Sequence, residues 1–173
     1  RLGTSGSLCE NVSLDSFLVS EYTIGFDGLA HFYDNNNVLD KNLQKSFINH
    51  TNWNKKHADP YAVKSSENLL KKFQDLNSGI TLTATGFYGP QSRELRLQST
   101  IKSLYSSVKD FNYYDLQITN FEMETSALYF LGRSLGHNTL TICAVLGNRL
   151  KDIQSKNPIQ TIDRLIDIVL ERL

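Results

Sequence analysis

Absences narrow the reading first. No apolar run approaches the roughly 20 residues that span a bilayer, and no charged-then-apolar segment opens the chain, so neither a membrane partner nor secretion is expected. Cysteine is down to two residues in 173, Cys9 and Cys143. Their spacing matches neither a disulfide framework nor a zinc site and fits a reducing, cytoplasmic setting. Net charge is missing as well, because 18 basic residues balance 18 acidic ones. That leaves no electrostatic footprint for nucleic acid or an anionic membrane surface, and any bound anion has to be small and locally recognised. Proline (3) and glycine (10) are sparse, and no repeat or low-complexity linker interrupts the chain. The four histidines, His31, His50, His57 and His137, share no spacing suited to a metal or a triad, and no metal is expected. Asn11-Val-Ser and Asn49-His-Thr match the glycosylation pattern only by chance in such a setting. There is also no initial Met: the chain opens on Arg1-Leu-Gly-Thr-Ser-Gly6, which reads as the end of a strand and its turn, so an upstream portion is expected.

What is present is an ordinary globular composition, 40% hydrophobic and 21% charged, long enough for one domain over residues 1–173. Residues 16–20 read as a short buried strand, followed by 22–31 with Asp27-Gly28 as a turn. The polar stretch 34–59 reads as a surface excursion with a short helix at 42–48. Ser65 or Ser66 caps a helix carrying Leu69, Leu70, Phe73 and Leu76, which stops at Asn77-Ser78-Gly79. A strand over 80–85 gives way to the loop Gly86-Phe-Tyr-Gly-Pro90, and Leu97, Ile101, Leu104 and Val108 have helical spacing. A short strand at 116–119, a helix at 122–135 stopped by Gly136, a strand at 139–146 and an amphipathic helix at 159–173 complete the chain. On that last helix Ile162, Leu165, Ile166, Val169 and Leu170 share one face. Strands alternating with helices imply an α/β domain with a central mixed, mostly parallel sheet flanked by helices.

Three distant segments carry chemistry. In Arg1-Leu-Gly-Thr4-Ser-Gly6, glycines let the backbone approach an anion, while Arg1 and Thr4 can donate to phosphate. In Gly86-Phe87-Tyr-Gly-Pro-Gln91-Ser-Arg93, an amide and a guanidinium two residues apart can read the carbonyl and N–H edge of a planar ring, with Phe87 stacking on that ring or the group attached to it. The third is Asn120-Phe121-Glu122-Met123-Glu124, opening a helix. Taken singly, each reduces to a turn, a solvated loop or first-turn acids that complement a helix dipole. Together and in this order they resemble the nucleoside phosphorylase pattern over almost the whole chain. The resemblance implies that Glu124 takes the ribose hydroxyls, Met123 packs under the sugar and Glu122 lies beside it.

Purine-specific members and related nucleosidases place Ser-Asp after the strand at 139–146, to protonate the leaving purine. Here the residues are Leu146-Gly147-Asn148-Arg149. The resemblance is therefore to the uridine phosphorylase branch, in which Arg93, helped by Arg149, stabilises the departing uracil as the catalytic pair. It implies phosphorolysis of uridine or a related pyrimidine nucleoside in salvage, with inorganic phosphate as co-substrate and no cofactor. It also implies a further glycine and arginine for phosphate from an N-terminal part, and a histidine lent by a neighbouring subunit. A homo-oligomer follows, either a dimer or a hexamer built of dimers. The rivals are a purine phosphorylase or water-using nucleosidase, and a catalytically inactive nucleoside-binding relative. Asp27-Gly28 also resembles the family, with no chemistry assigned, and the role of the insert 35–59 stays open.

Overall fold

β-branched and aromatic runs form the strands of the computed structural model, which describes residues 1–34, 36–101 and 104–173. These are β1 (Leu2–Ser7), β2 (Phe17–Gly25), β3 (Tyr61–Lys64), β4 (Asn77–Thr83), β5 (Asn112–Tyr113), β6 (Leu116–Glu122), β7 (Ile142–Asn148) and β8 (Ile153–Gln154). The helices are α1 (Lys41–Thr51), α2 (Glu67–Leu70), α3 (Leu104–Lys109), α4 (Thr125–Ser134) and α5 (Pro158–Arg172). Strand order is β3-β2-β4-β6-β1-β7-β8, with β5 paired to β6. A further antiparallel pairing of residues 17–19 with 142–144 bends the sheet back on itself, so that β2, β4, β6, β1 and β7 close into a ring. Within the ring β2–β4, β4–β6 and β1–β7 are parallel, whereas β1–β6 and β2–β7 are antiparallel. The α/β class with a mixed, mostly parallel sheet holds, and the closure is what the strand pattern did not announce.

Hydroxyl groups tie the ring together. Ser20 bonds Thr81 at 2.6 Å, Thr23 bonds Thr83 at 2.9 Å, and Thr81 donates to Asn120 Oδ1 at 2.8 Å, all of them buried. Each such group left unpaired costs about 1–3 kcal/mol, so the residues work as a set. Tyr129 fastens α4 to the same framework, donating to the Ser20 carbonyl at 2.7 Å and accepting from the Thr141 N–H at 2.8 Å. Apolar packing lies on the outer faces. Phe47 and Trp53 pack with Phe26, Phe111 and Phe121 on one side. On the other, Leu165 and Val169 of α5 cover Val19, Ile142 and Ala144.

Several boundaries differ from the sequence reading for physical reasons. β2 runs on past residue 20 to Gly25, where a Cβ would come within 2.6 Å of Ser126. The expected helix stop at 77–79 is instead the start of β4, because a Cβ at Gly79 would lie 2.3 Å from Thr119, so this glycine serves the close approach of two strands. The preceding helix shortens to α2 and a 3-10 turn, with Ser66 as its cap. Leu97 is 86% exposed and outside any helix; only α3 forms there, and residues 102 and 103 lie outside the described residues. β6 extends to Glu122, pairing with Thr83 of β4, so α4 begins only at Thr125 rather than at 122. The excursion at 34–59, of which residue 35 lies outside the described residues, is more than surface, since α1 buries Leu43 and Phe47. Finally, the apolar face of α5 is not wholly covered: Leu165 is buried while Leu170 is 71% exposed.

Candidate active site

The opening segment runs as strand through Ser7 with no turn at its glycines, neither of which has a positive φ. Their use lies elsewhere. A Cβ on Gly3 would sit 2.8 Å from Nη1 of Arg1, and one on Gly6 would sit 2.8 Å from Nε of Arg149. Both glycines therefore clear space for a guanidinium, where the sequence reading had them admit an anion. Antiparallel pairing of β1 with β6 brings Arg1 against the residues that follow β6. Parallel pairing with β7, through Gly6↔Gly147 and Ser7↔Asn148, brings Arg149 back over Gly6.

A cleft of about 910 Å³ opens here, and it gathers every candidate residue: Arg1, Thr4, Phe87, Gln91, Arg93, Glu122, Met123, Glu124 and Arg149. At one end Arg1 pairs with Glu122 at 3.0 Å and Glu124 at 2.5 Å. The two acids are unlike. Glu122 has a buried side chain that accepts from the Thr83 hydroxyl at 2.5 Å, the Glu124 N–H at 3.0 Å and the Thr125 N–H at 2.9 Å. It closes the start of α4 and holds Arg1, leaving little lone-pair capacity for a sugar. Glu124 has a side chain 59% exposed, with only Arg1 as its side-chain partner among the described residues, and is open to a ligand. Beneath Arg1 lies Cys143, whose buried thiol is pushed up to about 11 by desolvation and so stays neutral.

The other end is built by the loop after β4. A 3-10 turn over Gly89–Gln91, with Ser92 left-handed at φ 59°, swings Gln91 inward until it is 1% exposed. The N–H groups of Gln91 and Arg93 both donate to the Tyr88 carbonyl at 2.9 Å. The Arg93 guanidinium lies 3.8 Å from the Phe87 ring centre, so one face of the ring expected to stack on a ligand is covered by a cation. Arg149 donates through Nη2 to Oε1 of Gln91 and through Nη1 to the Tyr105 hydroxyl at 3.0 Å. Its Nε is buried with no partner among the described residues, and burial lowers the affinity of this guanidinium for its proton. Asn148 turns the chain after β7, donating to the Cys9 carbonyl at 2.8 Å and accepting from the Leu150 N–H at 3.0 Å.

Tyr105, Glu94 and Asp152 also line the cleft and were not anticipated. Tyr105 has no distinguishing signal in a stretch read as helix surface. Asp152 comes in with the turn between β7 and β8, a pairing of only Ile153–Gln154 that periodicity does not reveal.

Comparison with known proteins gives consistent matches. The family model described as the phosphorylase superfamily matches residues 1–172. Among curated proteins, uridine phosphorylase of Haemophilus influenzae is 22% identical over 173 residues, covering 98% of this chain and 62% of the relative. Among solved structures, a Trypanosoma brucei nucleoside phosphorylase, described as showing uridine phosphorylase activity, superposes with a TM-score of 0.87. Its identity is 25%, and the match covers 100% of this chain and 62% of that one. The chain thus spans under two thirds of the length of either relative.

Proposed function

The chain belongs to the phosphorylase superfamily, and from that premise we propose that it carries the nucleoside-binding cleft of a uridine phosphorylase. The observation that supports this most is a single cleft with Arg1 and Thr4 at one end, Gln91, Arg93 and Arg149 at the other, and Met123 with the exposed Glu124 on the same wall. Arg1 packs over Gly3 and Arg149 over Gly6, so the two guanidinium groups are anchored at different points of β1, as an attacking group and a leaving group require.

In this reading phosphate is held by Arg1 and Thr4, with Glu122 fixing the arginine. The ribose rests on Met123 with its hydroxyls on Glu124, and Gln91 and Arg93 read the base. Attack forms a bond from a phosphate oxygen to the anomeric carbon as the carbon–nitrogen bond breaks. The bonding pair leaves with uracil, the anion is stabilised by Arg93 and Arg149, and it then takes a proton from water. Catalysis is mainly positioning and electrostatic stabilisation. Inorganic phosphate is the co-substrate, and the chemistry calls for no cofactor. A homo-oligomer, either a dimer or a hexamer of dimers, goes with the same reading and is checked by light scattering.

The presence of Asp152 in the cleft favours one second reading, purine cleavage with that carboxyl as proton donor. Following base release from uridine and inosine, each with and without phosphate, separates the two. Uracil release that depends on phosphate, with inosine untouched, supports the proposal. Release from inosine, release without phosphate or no release at all rejects it.

A further inference from the structure

We propose that Tyr105 is a positioning residue that sets base specificity, fixing through Arg149 which way round the Gln91 amide faces the bound base. This rests on the pyrimidine reading of the cleft given above.

A tyrosine hydroxyl carries one proton. In Tyr105 that proton goes to the backbone carbonyl of Gln91 at 2.7 Å, so the 3.0 Å contact with Arg149 runs from the guanidinium to the hydroxyl lone pair. With Nη1 spent in this way, the other terminal nitrogen of Arg149 meets the Gln91 side chain, and a guanidinium can only donate. The amide must therefore turn its oxygen to Arg149. Reversed, it would set an NH₂ group against an N–H donor. Neither side chain can escape the conflict: Gln91 is buried away from water, and Arg149 lies in the seat left by Gly6.

The fixed amide offers a base a remaining oxygen lone pair beside an NH₂ group. An edge with a ring N–H next to a carbonyl, as in uracil, complements that pair atom for atom. An edge with a bare ring nitrogen next to a carbonyl, as in cytosine, sets a lone pair against the amide oxygen. Such a mismatch leaves buried polar groups unpaired, which is how hydrogen-bonding sites reject near-isosteres. The hydroxyl acts by holding Arg149 on Gln91, and it can be removed without losing the packing, because the Tyr105 ring also lies edge-on against Phe121 with ring centroids 6.3 Å apart.

The test is calorimetric titration of uridine, cytidine and inorganic phosphate, each alone, into the protein and into Tyr105→Phe, the sugar blocking the ring N1–H that free cytosine would otherwise offer. The expected result is a fall of about tenfold in the uridine-over-cytidine preference with phosphate affinity unchanged. Arg149→Met should lower the same ratio, and it guards against a Tyr105 variant that fails to fold. An unchanged ratio in Tyr105→Phe overturns the proposal, as does a parallel loss of both nucleosides and phosphate. So does a parent protein that does not tell the two nucleosides apart. If the parent binds uridine selectively but turns over no nucleoside, the enzymatic reading fails while the ratio still decides the lock.

Discussion

The two cleft arginines stand in opposite electrostatic circumstances. Arg1 meets Glu122 and Glu124 at 3.0 and 2.5 Å, so its charge is compensated within the cleft. Arg149 forms no ion pair among the described residues and sits 5.3 Å from the Phe121 ring centre and 5.8 Å from that of Phe87. The contrast suits two tasks. An incoming dianion can displace the exposed Glu124 from Arg1 while the buried Glu122 keeps the guanidinium aimed, so binding and orientation are divided between two acids. At the other end the positive field stands permanently, where the proposed reaction would develop negative charge only as the base departs.

Substitutions can break this contrast. Removing Arg1 has the largest expected effect: Arg1→Met should lower phosphate-dependent kcat/KM about 10³-fold. It should also destabilise the fold by about 1–3 kcal/mol, because Glu122 loses its counter-ion but keeps its Thr83 and backbone donors. Activity within tenfold of the parent would move the phosphate site elsewhere. Arg149→Met should lower kcat about 10²-fold with the phosphate KM unchanged. It should also cost about 1–3 kcal/mol in urea titrations, because Oε1 of the buried Gln91 loses its donor. Glu124→Gln should raise the nucleoside KM about tenfold and leave stability untouched, given its exposure.

The smallest effect concerns Cys143 beneath Arg1. Its folded thiol holds its proton up to about 11, against 9.0 for the ordinary group, so the folded state binds more protons between those values. The thiol's contribution is complete below about pH 9 and is lost as pH rises through about 11. Urea midpoints should fall across that window, and less so in Cys143→Ala; equal slopes would show that the thiol is not desolvated.

How much of this the sequence disclosed differs by feature. Residue types that carry chemistry were legible: the Arg1–Gly6, Phe87–Arg93 and Glu122–Glu124 segments and Arg149 converge on one cleft. Their partners were not. Glu122 looks like a first-turn helical acid until the β4–β6 register shows that the strand runs through it. The seat at Gly6 is filled by Arg149 from the far end of the chain, which no local pattern encodes, whereas that at Gly3 takes Arg1 from the same segment. Long or strongly amphipathic elements, β7 and α5 among them, were found within a few residues. Short ones such as β3 and β8 are set by pairing rather than by periodicity, and they went unseen. Ring closure rests on the pairing of residues 17–19 with 142–144, which only the assembled sheet makes visible.

The central claim is that the two arginines serve two different ligands, and titrating phosphate and uracil separately into the protein, Arg1→Met and Arg149→Met tests it most directly. A crossed pattern is expected: Arg1→Met loses phosphate and keeps uracil, while Arg149→Met weakens uracil and keeps phosphate. Loss of both ligands with either substitution, or the reverse assignment, would contradict the division of the cleft drawn here.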